Sequence, residues 1–208
     1  MSAQITRVVS GAVEGLVDEA VLTRLINYVQ AVPHAVYGKK GKPYLRQRIN
    51  GYNNAAHHSP WFVLVDLNSD AGCAPTLISE WLPNPAPQMC FRVAVRKIEA
   101  WLLADHERLA RFLRINKTRI PANPETETDP KQTVVNLARE SRRRIITRDM
   151  VPRPGSGRSV GPAYTSRMIE FVSDINSGWR PEVAAQHSDS LHRCLTNLTA
   201  LVTRCYSG

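Results

Sequence analysis

Acidic and amide side chains follow a short apolar run at alternate positions, a pattern that could bind a divalent metal ion. The run is Trp61 to Val65, and Asp66, Asn68 and Asp70 come directly after it. If the backbone stays extended there, all three side chains point to one side. Carboxylate and amide oxygens suit Mg²⁺ or Mn²⁺. The alternative is a polar loop that caps the next helix, and this stretch alone favours neither.

Further carboxylates follow two other apolar stretches. Glu14 comes after a β-branched segment and before Gly15, with Asp18 close behind it, and Glu99 comes after another apolar run. Carboxylates gathered in one place repel one another unless a cation neutralises them. With Asp66, these acids therefore favour a metal site, and divalent metals support phosphoryl-transfer chemistry by activating water.

The elements that must position these acids alternate between strand and helix in the first half of the chain. Strands are expected at residues 5–13, 61–65 and 89–95. Short continuous apolar runs are typical of parallel strands, and ligands lie beyond the carboxyl ends of such strands. We therefore predict an α/β fold, with a mostly parallel sheet flanked by helices and a helical C-terminal half.

The division into domains is predicted near residue 115, with an α/β core over 1–115 and helices over 116–208 packed on it. One helix is expected from Ile98 to Leu113, and Pro33 is expected to close the helix that follows the first strand. Another helix begins at Asp129 and carries Arg142, Arg143 and Arg144 at its C-terminal end, where cations offset the helix dipole. Asp105 lies six residues after Glu99, so in a regular helix the two could not easily share one ion.

A formal net charge of +9 favours a polyanionic partner, with nucleic acid first and an anionic membrane a distant second. No apolar run approaches the ~20 residues of a membrane span. The N-terminal residues lack the charged start and apolar segment of a signal peptide, so we expect a cytoplasmic protein. The four cysteines are scattered without paired spacing, which argues against a zinc site.

Two basic segments are candidates for contacting nucleic acid. The first is a glycine-punctuated loop with Lys39, Lys40 and Lys42, followed by Arg46. Cations beside tyrosines suit phosphate contacts and base stacking, although a solvated loop fits equally well. The second segment is Arg142 to Arg144, which is either a nucleic-acid arm or a solvated helix end.

The motifs as a set resemble those of TOPRIM domains. Val13-Glu14-Gly15 is similar to the first TOPRIM motif, and Asp66-Leu67-Asn68-Ser69-Asp70 is similar to the Asp-x-Asp motif, with Asn68 at the middle acid. The segment Arg96 to Asp105 resembles a signature of one small TOPRIM-like family, and the likeness extends to residues 161–164. Members of that family resemble the nuclease domains of OLD (overcoming lysogenisation defect) proteins and are often encoded beside ATPases in prokaryotic anti-phage systems.

The resemblance implies a Mg²⁺-dependent (or Mn²⁺-dependent) nuclease whose substrate is RNA, including tRNA, or DNA. It implies that Glu14 acts as general acid/base or metal ligand, and that Asp66, Asp70 and Glu99 are metal ligands. Asn68, Asp105 and Asp18 are possible accessory residues, and an ATPase is a possible partner protein. The alternative is a degenerate TOPRIM fold that binds nucleic acid or an ATPase without catalysis, which the amide of Asn68 favours.

Overall fold

The computed structural model describes residues 6–68 and 72–206 of the chain. These residues form two compact units. The first unit holds the residues up to Ala94 and those from His192 onward, and the second unit holds Val95–Leu191. The predicted boundary near residue 115 stays a prediction. Asp70 lies outside the described residues.

The first unit is built on a four-stranded, all-parallel sheet, so the expected α/β class and parallel strands are confirmed. The strands are β1 (Val8–Val13), β2 (Val32–Gly38), β3 (Trp61–Asp66) and β4 (Met89–Ala94). Their order in the sheet is β2-β1-β3-β4. Every residue of β3 up to Val65 is buried, as expected for a strand covered on both faces.

Three helices of the first unit connect these strands, and a fourth follows them near the C-terminal end of the described chain. They are α1 (Leu16–Tyr28), α2 (Lys42–Ala55), α3 (Ala74–Trp81) and most of α10 (Asp189–Tyr206). Gly11 of β1 lies under α1, because a Cβ there would be only 2.7 Å from a methyl group of Leu22. At its C-terminal end α10 holds β1, since the hydroxyl of Tyr206 donates to the carbonyl of Val8 at 2.7 Å.

The second unit contains short helices. They are α4 (Ile98–Leu103), α5 (His106–Leu113), α6 (Pro130–Arg139), α7 (Arg144–Met150), α8 (Tyr164–Ser173) and α9 (Pro181–Ala184), with two 3-10 helices at Lys117–Arg119 and Pro124–Thr126. Its core includes Trp101 and Trp179, both fully buried, and the indole N–H of Trp179 donates to the carbonyl of Trp101 at 3.0 Å. The expected helical C-terminal half is therefore present.

The sequence-based prediction missed one strand. Pro33 does not close the first helix, which ends at Tyr28; it lies inside β2, at the edge of the sheet. Proline is tolerated on edge strands because their outer backbone groups need no partner. Pro33 and His34 interrupt the apolar residues of β2, so the sequence shows no continuous apolar run there.

Two predicted helices were also wrong in extent. The expected helix from Ile98 to Leu113 is broken into α4 and α5, because Asp105 caps the second segment. The helix that begins at Asp129 ends at Arg139, and α7 begins at Arg144. Arg142 and Arg143 therefore lie between two helices, Arg144 is the first residue of α7, and none of the three belongs to the C-terminal end of α6.

No helix in the described ranges is both long and apolar enough to cross a membrane.

Candidate functional site

Glu14 and Asp66 meet at the carboxyl edge of the sheet. Glu14 directly follows β1, and Asp66 is the last residue of β3, its neighbour in the sheet. One carboxylate oxygen of Glu14 accepts a hydrogen bond from the backbone N–H of Asp66 at 2.8 Å. Both side chains are only partly exposed. The two acids, 52 residues apart in sequence, therefore share one location.

This location is the topological switch point of the sheet. From β1 the chain passes through α1 to β2 on one side, and from β2 it crosses through α2 to β3 on the other side. In open parallel sheets, the crevice beyond the strands at such a reversal is where ligands bind. The sheet thus places Glu14 and Asp66 where the fold has room for a ligand.

Asp18 is a further carboxylate in the first turn of α1, after the cap residue Gly15, and it is buried. A Cβ added to Gly15 would lie 3.0 Å from a carboxylate oxygen of Asp18, so glycine leaves that oxygen room beside the backbone turn.

The basic loop is bonded to the same edge of the sheet. The backbone N–H groups of Lys39 and Gly41 donate to the carbonyls of Val13 and Glu14 at 2.9 and 3.0 Å. The ammonium of Lys42 donates to the carbonyl of Leu67 at 3.2 Å and also to that of Asp66. These contacts hold the lysines beside the two acids and argue against a loose, solvated loop.

The backbone of this loop requires glycine at one position. Gly38 has φ of +91°, and a Cβ there would lie 2.2 Å from the carbonyl oxygen of Val13. Gly41 and Lys39 also have positive φ values. The loop therefore turns sharply at the end of β2 and returns to the carboxyl end of β1.

Cations and aromatic rings alternate on α2 and α3. Lys40 and Arg48 lie over the ring of Tyr44, with the charged atoms 5.2 and 5.5 Å from its centroid. Lys42 and Arg46 lie 5.7 and 5.8 Å from the centroid of Trp81. Sequence reasoning missed Trp81. Tyr44 and Arg48 lie one helical turn apart, a spacing at which side chains on a helix can meet.

Lys39 differs from its neighbours because it has a partner. Its ammonium pairs with the carboxylate of Glu19 at 2.9 Å, and both side chains are about one-third exposed. Lys40, Arg46 and Arg48 have no ion pair with any carboxylate of residues 6–68 and 72–206. Their charge is therefore available to an outside anion.

The predicted Asp-x-Asn-x-Asp alternation is wrong at its second position. Asn68 has φ of +53°, in the left-handed region, so the extended backbone ends before it. The alternation of β3 therefore does not continue through Asn68. Asp70 was named as a metal ligand and lies outside the described residues, so its role stays a prediction.

Glu99 is buried in the second unit with two polar partners. Its side chain is about 3% exposed, the hydroxyl of Tyr164 donates to it at 3.2 Å, and the ammonium of Lys131 lies 3.5 Å away. Burial, and then the charge of Glu99, raise the pKa of Tyr164 well above its usual value. That Glu99 joins Glu14 and Asp66 in a metal site stays a prediction.

Asp105 has a structural role in the second unit. It is completely buried and caps α5 by accepting from the backbone N–H of Arg108 at 3.3 Å. Arg180 binds it through the guanidinium at 2.8 and 3.0 Å and through the backbone N–H at 3.0 Å. Such pairing explains why an acid occupies this position without invoking a metal.

Arg142, Arg143 and Arg144 are exposed in the second unit. Arg142 and Arg143 line a surface cleft with Arg111 and Arg114 of α5, whereas Arg144 does not line it. Sequence reasoning missed Arg111 and Arg114, because they lie 28 or more positions earlier in the chain.

The donors near the switch point fit a hard divalent cation by their chemistry. Glu14, Asp66 and Asp18 offer only oxygen, which Mg²⁺ and Mn²⁺ prefer. Within the described part of the chain, however, no three histidine, cysteine or acidic residues are grouped closely enough to hold a metal ion. The described residues thus supply a partial set of ligands.

Comparisons with known proteins give no match for this chain among family models, curated proteins or solved structures.

Proposed function

We propose that this protein is a Mg²⁺-dependent phosphodiesterase of the TOPRIM-like type that cleaves nucleic acid. The observation that carries the proposal is the contact between Glu14 and the backbone of Asp66 at the switch point of a parallel sheet. A catalytic site needs its acids fixed relative to one another, and this hydrogen bond fixes one carboxylate against the strand that carries the other.

The two acids would have different roles. Glu14 would accept a proton from the attacking water, or return one to the leaving oxygen, as a general base and acid. Asp66 would hold the cation together with Glu14, and Asp70 and Glu99 complete the proposed set. When bound, Mg²⁺ supplies charge stabilisation for the phosphate and lowers the pKa of water.

The basic residues beside the acids would hold the substrate. Lys40, Arg46 and Arg48 offer cations without an acidic partner in the described ranges, and Lys42 lies beside the last residue of β3. Phosphates bound there would be close to Glu14 and Asp66. The formal net charge of +9 favours the same kind of substrate, a polyanion. The proposed substrate is RNA, including tRNA, or DNA. Action as an anti-phage effector with an ATPase partner is proposed from the family resemblance alone.

A second candidate function is binding of nucleic acid without cleavage. Two observations favour it: an amide, Asn68, at the middle position of the second motif, and the incomplete set of ligands within the described residues. The basic loop and the aromatic rings beside it would serve this function equally well. The two functions differ in their dependence on metal.

The test is a cleavage assay on RNA and DNA with Mg²⁺, Mn²⁺ or EDTA, with and without a co-expressed ATPase partner. We expect cleavage that requires metal and is lost in Asp66→Ala and Glu14→Gln. The matched control is Glu182→Gln, which removes one negative charge from an exposed position of α9, as Glu14→Gln does at the site. This variant should retain activity.

Cleavage that persists in EDTA and in Asp66→Ala would reject the proposed mechanism. If no cleavage occurs under any condition but the protein binds nucleic acid, the second candidate function is correct. Mg²⁺ should also raise the melting temperature of the wild-type protein, because a ligand that binds only the folded state stabilises it. Asp66→Ala should remove that increase.

A further inference from the structure

An arginine-lined surface cleft lies in the second unit, within Val95–Leu191. Its volume is about 700 Å³. Four of its lining residues are arginines, and none is acidic; the arginines are Arg111, Arg114, Arg142 and Arg143. The cleft brings together two segments that are far apart in sequence, the end of α5 and the connection between α6 and α7.

Hydrogen bonds fix these two segments against each other. The hydroxyl of Ser141 donates to the carbonyl of Leu113 at 2.5 Å, and the backbone N–H of Arg142 donates to the carbonyl of Arg114 at 3.4 Å. Ser141 also accepts from the backbone N–H of Arg143 at 3.1 Å. The backbones that carry the arginines are therefore held in place before any ligand binds.

The charge of the cleft is largely uncompensated. Arg111 pairs with Glu107 at 3.0 Å, whereas Arg114, Arg142 and Arg143 form no ion pair with an acid of the described residues. The nearby acid Glu140 is already held by Arg119 at 2.5 and 2.7 Å. Like charges placed together without acids raise the free energy of the empty cleft, and an anion would lower it.

We propose that this cleft is a binding site for adjacent phosphate groups, as found in a nucleic-acid backbone or in a nucleoside triphosphate. Guanidinium groups present forked N–H donors that match the oxygens of a phosphate, which favours arginine over lysine for this ligand. Three arginines without acidic partners suit a ligand with more than one negative group. The site belongs to the second unit alone and does not depend on catalysis by Glu14 and Asp66.

The experiment measures binding to the full-length protein in EDTA, so that a metal site plays no part. The probes are a fluorescently labelled single-stranded oligonucleotide, ATP and inorganic tripolyphosphate, with a poly-glutamate peptide as a non-phosphate anion. The variants are Arg114→Ala, Arg142→Ala and Arg143→Ala. Arg144→Ala is the matched control, since Arg144 is the next residue in the chain, is equally exposed and does not line the cleft.

Each cleft variant should weaken binding of a phosphate probe by about tenfold or more, as expected for the loss of a charge-assisted hydrogen bond. Arg144→Ala should weaken binding less than about threefold, because Arg144 does not line the cleft and its loss removes no charge-assisted hydrogen bond to the ligand. Arg143→Lys keeps the positive charge but loses the paired N–H donors of the guanidinium. Its affinity for the phosphate probes should lie between those of Arg143→Ala and Arg144→Ala. A loss confined to the oligonucleotide identifies nucleic acid as the ligand, and a loss confined to ATP and tripolyphosphate identifies a free phosphate compound.

Two results would overturn the proposal. One is an equal loss of affinity for the phosphate probes in Arg143→Ala and Arg144→Ala, which would mean that binding depends only on the total charge of the protein. The other is competition by poly-glutamate as strong as that by tripolyphosphate, which would mean an acidic protein surface is the partner. Because this assay is run in EDTA and measures binding and not cleavage, failure of the metal-site proposal would be seen separately.

Discussion

A carboxylate oxygen of Glu14 accepts a hydrogen bond from the backbone N–H of Asp66 at 2.8 Å, across two neighbouring parallel strands. Replacing Glu14 with alanine leaves a partly buried N–H without this acceptor, which should lower the free energy of unfolding by about 1–3 kcal/mol. Glu14→Gln keeps an oxygen at the same position and should cost less. Urea denaturation of both variants measures the difference. Equal free energies of unfolding for Glu14→Ala and Glu14→Gln would show that the hydrogen bond from Asp66 does not position the carboxylate of Glu14.

Gly38→Ala should destabilise the first unit more than an ordinary glycine substitution. The new methyl group would collide with the carbonyl oxygen of Val13, at 2.2 Å, and φ at this position is +91°. Gly155→Ala is the control, because Gly155 also has positive φ (+73°) but its added Cβ would meet no atom within 4 Å. The free energy of unfolding should fall by about 1 kcal/mol in the control and by at least about 2 kcal/mol more in Gly38→Ala. Similar losses in the two variants would mean that the loop can move away from β1.

Binding of nucleic acid should depend on Lys40 more than on Lys39. Lys40→Ala should reduce the slope of log affinity against log salt by about 1, as for the loss of one phosphate contact. Lys39→Ala should reduce it less, because its ammonium is already paired with Glu19 at 2.9 Å. A titration across salt concentrations measures both slopes. A larger effect of Lys39 would place the phosphates on the other side of the loop.

The sheet could be predicted where burial decides the residue type. The strands β3 and β4 are nearly continuous apolar runs, and nearly all of their residues are buried. The strand β2 is an edge strand like β4, but it contains Pro33 and none of its residues is fully buried, and it was missed. The burial of the side chains therefore explains both why β3 and β4 were predicted and why β2 was missed.

The candidate site could be predicted only in part. Acids at strand ends follow from chain order and parallel topology, which is why Glu14 and Asp66 meet as expected. The role of Asp105 could not be predicted, because its partner Arg180 lies 75 residues later and no local pattern links them. The break between α4 and α5 falls at Asp105, which caps α5, so a continuous apolar stripe was misread as one helix.

Asp105 should be needed for folding and not for metal binding. Asp105→Ala leaves the guanidinium of Arg180 without its buried partner and α5 without its cap, and should lower the free energy of unfolding by about 3 kcal/mol or more. Arg180→Ala in the same background should add little, because the interaction with Asp105 is already lost and only the pair with the exposed carboxylate of Glu107 remains. A double-mutant cycle by urea denaturation measures this coupling. Independent, additive effects would show that the two side chains do not stabilise each other.

Stability should fall at alkaline pH partly because of Tyr164. This side chain is 1% exposed, and burial, then the charge of Glu99, raise its pKa well above the ordinary value. In the unfolded chain, tyrosine loses its proton near pH 10, so above about pH 10 the unfolded state binds fewer protons than the folded state. The free energy of unfolding therefore decreases as pH rises through this range.

Tyr164→Phe removes the titrating group and should flatten the alkaline decrease. At neutral pH the same variant should be less stable than the wild type by about 1.5–3 kcal/mol, because the carboxylate of Glu99 loses the hydroxyl that donates to it at 3.2 Å. Tyr28→Phe, at an exposed position, is the control and should leave both quantities nearly unchanged. Urea midpoints measured at intervals from pH 7 to about pH 11 give the stability of each protein as a function of pH. This pH range spans the titration of tyrosine. An alkaline slope in Tyr164→Phe equal to that of the wild type would mean that Tyr164 can ionise without unfolding, and that Glu99 is less enclosed than its contacts indicate.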